Sequence, residues 1–450
     1  MKSFSIVVKK KIKDFKKTIT VDGCKSTSIR YFATAAQAYG TSTAKGIPSS
    51  DDVLATIRAF KKLGVKIIKK KKIYYCYGNG LGSLQTKNNL SINCSNSGTL
   101  ARLLMGILST YPHKIKIIGD HTLNKRDMKR VIKPLEKFGA TFEPKNKKNL
   151  PLFITGSEMP MPINHVENIG SAQVKGLITY AALDTPGLTQ IIEKKPSRNH
   201  QEILLKFVGA GIKVKKFKDF KLISIKGQKD FKAFDLSIPG DISSAAFFIC
   251  LTLLSKNSTI KIKNVGLNST RTGIITILKK MNAQIKITNI KTICGEKVGN
   301  IIVKSSNLKS TNCPASLIPF AIDEMPIIFL CAAKAKGVSS FVELGELEKK
   351  ESRRLSLMNK ILNQIGIRTL LKDDSIKIYG NPKLTLKNKP YKIKTMYDHR
   401  LCMCGVVLGL IFGGKVIVED CHSITTSFPS FLKIMNSLGA VTKYEIKKNH

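Results

Sequence analysis

One pattern recurs six times along the chain and limits the folds open to it. An apolar residue is followed by Gly or Asn, then a small or branched residue, then a β-type stretch. The instances centre on Gly64, Gly139, Gly211, Asn282, Gly366 and Gly439, so the spacings are 75, 72, 71, 84 and 73 residues. Each reads as an amphipathic helix that ends on a left-handed C′ residue and turns directly into a strand. In the first instance Ser50, Asp51 and Asp52 stand where they can cap a helix. Val53, Leu54, Ile57, Phe60 and Leu63 then share one face at helical spacing. Six helix–strand modules at near-even spacing predict an α/β chain of two similar domains with three modules each.

Composition excludes several alternatives. A chain of 450 residues, 42% hydrophobic and 24% charged, is expected to fold as a soluble, multi-domain globular protein. It has no apolar run of about 18 residues or more, so no transmembrane helix is expected. Met1 to Lys17 alternates apolar and charged residues, which argues against a secretory signal. It reads as a strand over Phe4–Val8 followed by a polar hairpin. The net charge of +46 is extreme. It fits either a nucleic-acid binder or a lysine bias spread over solvated faces around an enzyme of small anions. Aromatic residues are only 7%, Trp is absent and no stacking stripe is visible. Lysine bias is therefore the preferred reading. The ten cysteines form no CxxC pair, which argues against zinc and for thiols in a reducing cytoplasm.

Five segments carry residue types that suit chemistry on anions. Gly23-Cys24-Lys25-Ser26-Thr27-Ser28-Ile29-Arg30 packs cations and hydroxyls around a glycine turn. It is either an oxyanion site or a polar loop, and it lacks the GxxxxGK spacing of a P-loop. Asn96-Ser97-Gly98-Thr99 opens an apolar helical run and is either an anion-facing turn or an N-cap. Gly78 to Gly82 reads as a plain turn. The runs Lys125–Arg130 and Lys349–Arg354 are either solvated faces or ligand sites. Arg400, in Asp398-His399-Arg400, suits bidentate carboxylate binding at the mouth of an apolar helix. Asp323 and Glu324 precede the apolar stretch Ile327–Ala333, where helix-dipole complementation is the simpler reading.

Taken in order, these segments resemble the 5-enolpyruvylshikimate-3-phosphate synthase family, over essentially the whole chain as far as Ser427-Phe428-Pro429. Ser171-Ala172-Gln173-Val174-Lys175, Ser197-Arg198-Asn199-His200, Pro239-Gly240-Asp241-Ile242-Ser243-Ser244 and Asn268-Ser269-Thr270-Arg271 match as well. Ser171-Ala172-Gln173 and Arg102-Leu103 resemble the divergent bacterial branch. The resemblance implies two domains of three βαβαββ units, an inside-out α/β barrel of the enolpyruvyl transferase type. One domain would comprise 1–22 with 241–450 and the other 23–240, with the active site in the cleft between them. It implies transfer of the enolpyruvyl group of phosphoenolpyruvate to the 5-hydroxyl of shikimate 3-phosphate, in chorismate and aromatic amino-acid biosynthesis.

By family position, Lys25, Ser26, Arg30, Ser171, Ala172, Gln173, Ser197, Asp323 and Lys350 would bind shikimate 3-phosphate. Lys25, Gly98, Arg126, Gln173, Arg354 and Arg400 would bind phosphoenolpyruvate. Asp323 would take the proton of the attacking hydroxyl, and Glu351 with Lys25 would serve the methylene carbon. Neither a cofactor nor a metal is implied. The expected setting is a cytoplasmic monomer with no nucleic acid or membrane partner, open to glyphosate at the phosphoenolpyruvate site. This sequence departs from the family at Cys24 (usually Ser), Ile29 (usually Asn), Asp127 (commonly Pro) and Thr426 (Lys in some members). The nearest rival is the sister family that acts on a UDP-amino sugar. Its pattern has Lys-Asn where this chain has Lys25-Ser26. The rival from another class is a basic nucleic-acid-binding protein, which would show steep salt dependence.

Overall fold

The computed structural model describes residues 4–146, 148–387 and 389–446. The outermost residues of the expected domains, 1–3 and 447–450, lie outside the described residues. The chain divides into two compact units. A central unit holds Gly23–Ile238 with Thr292–Glu296, and a terminal unit holds Met1–Asp22, Pro239–Lys291 and Lys297–His450.

The central unit contains three four-stranded sheets built to one plan. Leu90–Asn93 pairs in parallel with Lys114–Ile118, which pairs antiparallel with Leu152–Thr155, which in turn takes Thr141–Glu143 antiparallel. Asn164–Glu167, Leu188–Glu193, Lys221–Lys226 and Ile212–Lys216 repeat this order and these directions. So do Asp235–Ser237, Tyr39–Lys45, Ile73–Asn79 and Lys66–Lys70, where the parallel partner comes from the far end of the unit. A parallel pair needs a long crossover, and a helix supplies it.

The terminal unit repeats the theme. Phe4–Val8 lies antiparallel between Lys415–Val418 and Thr442–Ile446, with Pro390–Ile393 parallel at the edge. Lys16–Ile19 joins a different sheet, parallel to Thr259–Gly266. The expected N-terminal hairpin does not form, because each of its two strands completes a separate module. The third sheet pairs Gly337–Phe341, Ser375–Gly380 and Thr369–Lys372 antiparallel.

Two kinds of helix result from two kinds of sequence. Asp51–Lys62, Lys129–Lys137, His200–Phe207, Gly273–Lys280, Arg354–Gln364 and Phe431–Ser437 precede the repeat turns and bury one face. Lys25–Ala35, Gly98–Leu108 and Ala172–Asp184 are buried nearly all round after their first turn. Ile242–Leu254, Met325–Lys334 and His399–Phe412 are apolar and buried from the start. Helices apolar on every side belong inside, with the sheets around them. Phe248 is fully buried against Phe428 and Phe431, and such a ring is worth about 3–5 kcal/mol when truncated to Ala.

Five of the six repeat residues take the left-handed conformation: Gly64, Gly139, Asn282, Gly366 and Gly439. The third repeat differs. Its helix ends at Phe207, and Gly209 takes the left-handed turn instead of Gly211. Gly211 is small for another reason, since a Cβ there would lie 2.3 Å from the Lys226 carbonyl oxygen.

The crossover glycine Gly23 is the tighter case. A Cβ at that position would sit 1.9 Å from the Gly46 carbonyl oxygen. Gly23→Ala is expected to destabilise the central unit by about 3 kcal/mol or more, because backbone must move. Gly209→Ala has open space and pays only for its left-handed φ, about 1 kcal/mol. Urea midpoints measure both, and an unchanged midpoint for Gly23→Ala would contradict this packing.

Candidate active site

In the central unit Lys25, Ser26, Gly98, Ser171, Ala172 and Gln173 stand at the starts of the three buried helices, while Arg126 and Ser197 lie in loops. Lys25 opens Lys25–Ala35, and its Nζ lies 2.8 Å from Asp52 Oδ2, at the start of the neighbouring helix. Ser26 and Arg30 follow one turn apart, and Arg30 Nη1 donates to the Ser26 carbonyl at 3.1 Å. Arg30 is buried; desolvation lowers its pKa, opposed in part by Tyr180, Cys24 and Glu202, while Arg198 lowers it further. The Tyr180 hydroxyl donates to the Arg30 carbonyl at 3.2 Å, which ties the first buried helix to the third.

Gly98 opens the second buried helix, and Ser97 caps it by accepting from the Leu100 amide at 3.2 Å. The N-cap reading of this segment is therefore realised, and a cation faces it as well. A Cβ on Gly98 would meet Arg126 Nη1 at 2.6 Å and Arg102 Nη1 at 3.2 Å. Arg102 donates to Gln173 Oε1, and Gln173 Nε2 donates to Thr99 at 3.2 Å. Gly98, Arg126 and Gln173 are thus brought into one group.

Ser171 caps the third buried helix by accepting from the Val174 amide at 3.3 Å, and Ala172 and Gln173 are its first residues. Glu167 accepts from the amides of Ile169 and Ser171. Burial would raise its pKa, but the hydrogen bonds from His165, Ile169 and Ser171 hold it below its ordinary value. Ser197 is buried and donates through its hydroxyl to Glu193 at 2.5 Å.

In the terminal unit the expected residues form one charged network. Asp323 is faced by Lys350 at 3.3 Å and by Arg354 and Arg400, each at 3.6 Å. Arg354 is almost wholly buried. Its Nε donates to Asp398 Oδ2 at 2.8 Å, and its Nη2 donates to Glu351 at 2.5 Å and to Asp398 Oδ1 at 3.2 Å. Burial works against its charge, yet Asp398, Glu351 and Asp323 hold its pKa above the ordinary value. Asp398 also accepts from Ser352 and caps His399–Phe412 through the amides of Arg400 and Leu401. Thr426, at the position of a lysine in some relatives of the pattern, donates to the Ser423 carbonyl at 2.7 Å.

Comparison with known proteins gives the family of the chain. The family model for EPSP synthase (3-phosphoshikimate 1-carboxyvinyltransferase) matches residues 9–435. The chain belongs to the EPSP synthase family. Relatives named 3-phosphoshikimate 1-carboxyvinyltransferase include one from Zymomonas mobilis, 40% identical over 94% of each chain. Another, from Petrotoga mobilis, is 38% identical over 94% of this chain and 97% of its own. An EPSP synthase structure from Acinetobacter baumannii is 33% identical, with a TM-score of 0.86 over 98% of this chain and 100% of its own. The enolpyruvyl transferase NikO from Streptomyces tendae shares the fold at 13% identity, with a TM-score of 0.77 over all of both chains. The fold is that of the two-domain α/β enolpyruvyl transferases.

In this EPSP synthase family member, several buried polar residues around the expected site carry no role of their own in the sequence pattern. In sequence Asp398 is only a neighbour of Arg400, yet it anchors Arg354. Arg271, buried, binds Asp241 at 3.2 Å and donates to Ser243, whose hydroxyl donates to Glu324. Arg102 holds Gln173. A usable signal was the scarcity of arginine in a lysine-rich chain. Where lysine fills most basic positions, a retained arginine marks a need for the planar fork.

Removing the Asp398 charge should be costly. Burial would raise its pKa, but Arg354 and His399 hold it below the ordinary carboxylate range against the opposing Glu351. A depressed folded-state pKa gives stability that is present above the unfolded value and lost as pH falls through the folded one. Asp398→Asn is expected to lose about 3 kcal/mol near neutral pH, because a buried arginine loses its counter-charge. The gap from the unsubstituted protein should narrow below about pH 4. Urea unfolding at pH 7 and pH 3.5 measures it, and an equal gap at both would contradict the pair.

Proposed function

We propose that the residues of these two networks divide the reaction of the EPSP synthase family among them. The chain transfers the enolpyruvyl group of phosphoenolpyruvate to the 5-hydroxyl of shikimate 3-phosphate and releases phosphate. The observation that carries the assignment is the family match over residues 9–435, together with Asp323 faced by Lys350, Arg354 and Arg400. The reaction is an addition followed by an elimination. The 5-hydroxyl oxygen bonds to C2 of phosphoenolpyruvate, its proton passes to Asp323, and C3 gains a proton to become a methyl group. That methyl group then returns a proton as the C2–O bond to phosphate breaks. Glu351 and Lys25 handle the proton at C3. Asp323 also holds the acceptor.

Both substrates are polyanions, so their binding needs preorganised cations. Ser26, Arg30, Ser171, Ala172, Gln173, Ser197 and Lys350 bind shikimate 3-phosphate with Lys25. Gly98, Arg126, Gln173, Arg354 and Arg400 bind phosphoenolpyruvate with it. A single chain supplies every residue in both sets, which supports action as a monomer. No disulfide joins any of the ten cysteines, and all but Cys294 are buried, which supports a reducing cytoplasmic setting. Among the described residues no single helix is long and apolar enough to cross a membrane.

Phosphate release from phosphoenolpyruvate, with shikimate 3-phosphate or a UDP-amino sugar as acceptor, tests the reading. Release with the first acceptor alone is expected, and release with the second alone would overturn it. Asp323→Asn should lower kcat by about 10²–10⁴-fold, as for loss of a general base, with smaller changes in either KM. A Cβ at position 98 presses on the Arg126 guanidinium, a flexible end that yields at some cost. Gly98→Ala should therefore raise the KM for phosphoenolpyruvate several-fold. It should weaken glyphosate, the longer occupant, by a larger factor. Equal loss for substrate and inhibitor in steady-state kinetics would refute this account of Gly98.

A further inference from the structure

Lys175 is the one buried lysine among the described residues, at 1% exposure. It lies one turn into the helix that opens with Ala172 and Gln173. Its Nζ is 2.7 Å from Glu193 Oε1 and 2.6 Å from Glu202 Oε1. Both carboxylates are buried, Glu193 at the end of the strand Leu188–Glu193 and Glu202 in the helix His200–Phe207. Lys221 reaches the other Glu193 oxygen only at 3.4 Å and is partly exposed.

Both carboxylates stand behind groups assigned to the acceptor. Glu193 Oε1 accepts from the Ser197 amide at 3.0 Å and the Ser197 hydroxyl at 2.5 Å. Burial alone would raise the Glu193 pKa, but the Lys175 charge and its hydrogen bond, with Ser197 and Lys221, hold it below its ordinary value. Glu202 interacts electrostatically with Arg30. A site for a phosphorylated acceptor is thus backed by two buried negative charges. Uncompensated, they repel the ligand phosphate and compete with it for Arg30 and Ser197.

We propose that Lys175 is a positioning residue of the acceptor site. It neutralises Glu193 and Glu202 and so holds Ser197 and Arg30 in one arrangement that accepts a phosphate. This rests on the activity proposed above. None of the groups it touches is assigned to phosphoenolpyruvate, so its loss should fall on one substrate.

Steady-state kinetics of Lys175→Met, Glu202→Gln and the double variant test this, with folding checked by circular dichroism. Lys175→Met should raise the KM for shikimate 3-phosphate at least tenfold. The KM for phosphoenolpyruvate and kcat should move less than threefold. Glu202→Gln, which leaves Lys175 paired with Glu193, should stay within twofold of the unsubstituted protein. The double variant should recover part of the acceptor KM, because one uncompensated charge is gone; a mere packing defect would not be rescued this way. An acceptor KM within twofold in folded Lys175→Met, or no rescue in the double variant, overturns the proposal. Should Lys175→Met not fold, the double variant is set against Glu202→Gln, where a higher acceptor KM supports the role and equality overturns it. An unsubstituted protein that releases no phosphate from the two substrates would instead refute the activity, a failure visible without any variant.

Discussion

Five of the six buried helices begin at or beside candidate site residues, and the physics of a helix start governs what those residues are. The first turn of a helix leaves amide donors without intrahelical partners and carries the positive end of the macrodipole. The two units treat this positive end differently. In the central unit the residues before the helices are Cys24, Ser97 and Ser171, all neutral. In the terminal unit they are Asp241, Glu324 and Asp398, all acidic. Neutral caps leave positive potential available to an anion, which suits the residues assigned to the two phosphorylated substrates. Acidic caps consume it, and their carboxylates then hold cations in place: Arg271 on Asp241, Arg400 near Glu324 and Arg354 on Asp398.

That second arrangement explains why so much charge is buried in the terminal unit. A buried ion pair is a weak source of net stability, because desolvation offsets attraction. It is a strong source of geometry. Arg354 is gripped on its Nε and Nη2 side by Asp398 and Glu351, which leaves Nη1 facing Asp323. Asp323, the carboxylate we propose as the base, is ringed by Lys350, Arg354 and Arg400 before any substrate charge develops. Such preorganisation is what electrostatic catalysis requires.

The repeat was legible because it is a local rule. A helix end needs a left-handed residue, and glycine or asparagine declares it, so five of six positions coincide with the residues read from the sequence. The third did not, since Gly211 is held to a small residue by its close approach to the Lys226 carbonyl while Gly209 makes the turn. The strand at Phe4–Val8 was legible in its own residues. Its partners were not, because pairing with Lys415–Val418 and Thr442–Ile446 is a contact across more than 400 positions. The site residues themselves came from motif order. Their partners, Asp398, Glu193 and Glu202, are set by tertiary packing and carry no local pattern.

The charge of the chain follows the same division between surface and interior. A net charge of +46 invites a reading in terms of polyanionic partners. Yet the interior obeys the opposite bookkeeping, with Asp52, Glu193, Glu202, Asp241, Glu324 and Asp398 all buried. Asp52 meets Lys25, Glu193 and Glu202 meet Lys175, Asp241 and Glu324 meet Arg271, and Asp398 meets Arg354. Acidic residues are the scarcer sign, and these are kept where a buried cation needs a counter-charge. Exposed lysines cost little to add, because solvent screens them. A buried acid is expensive without its partner. The placement of the few acids therefore says more about what this protein does than the excess of bases, and three of them, Asp241, Glu324 and Asp398, stand at the starts of buried helices.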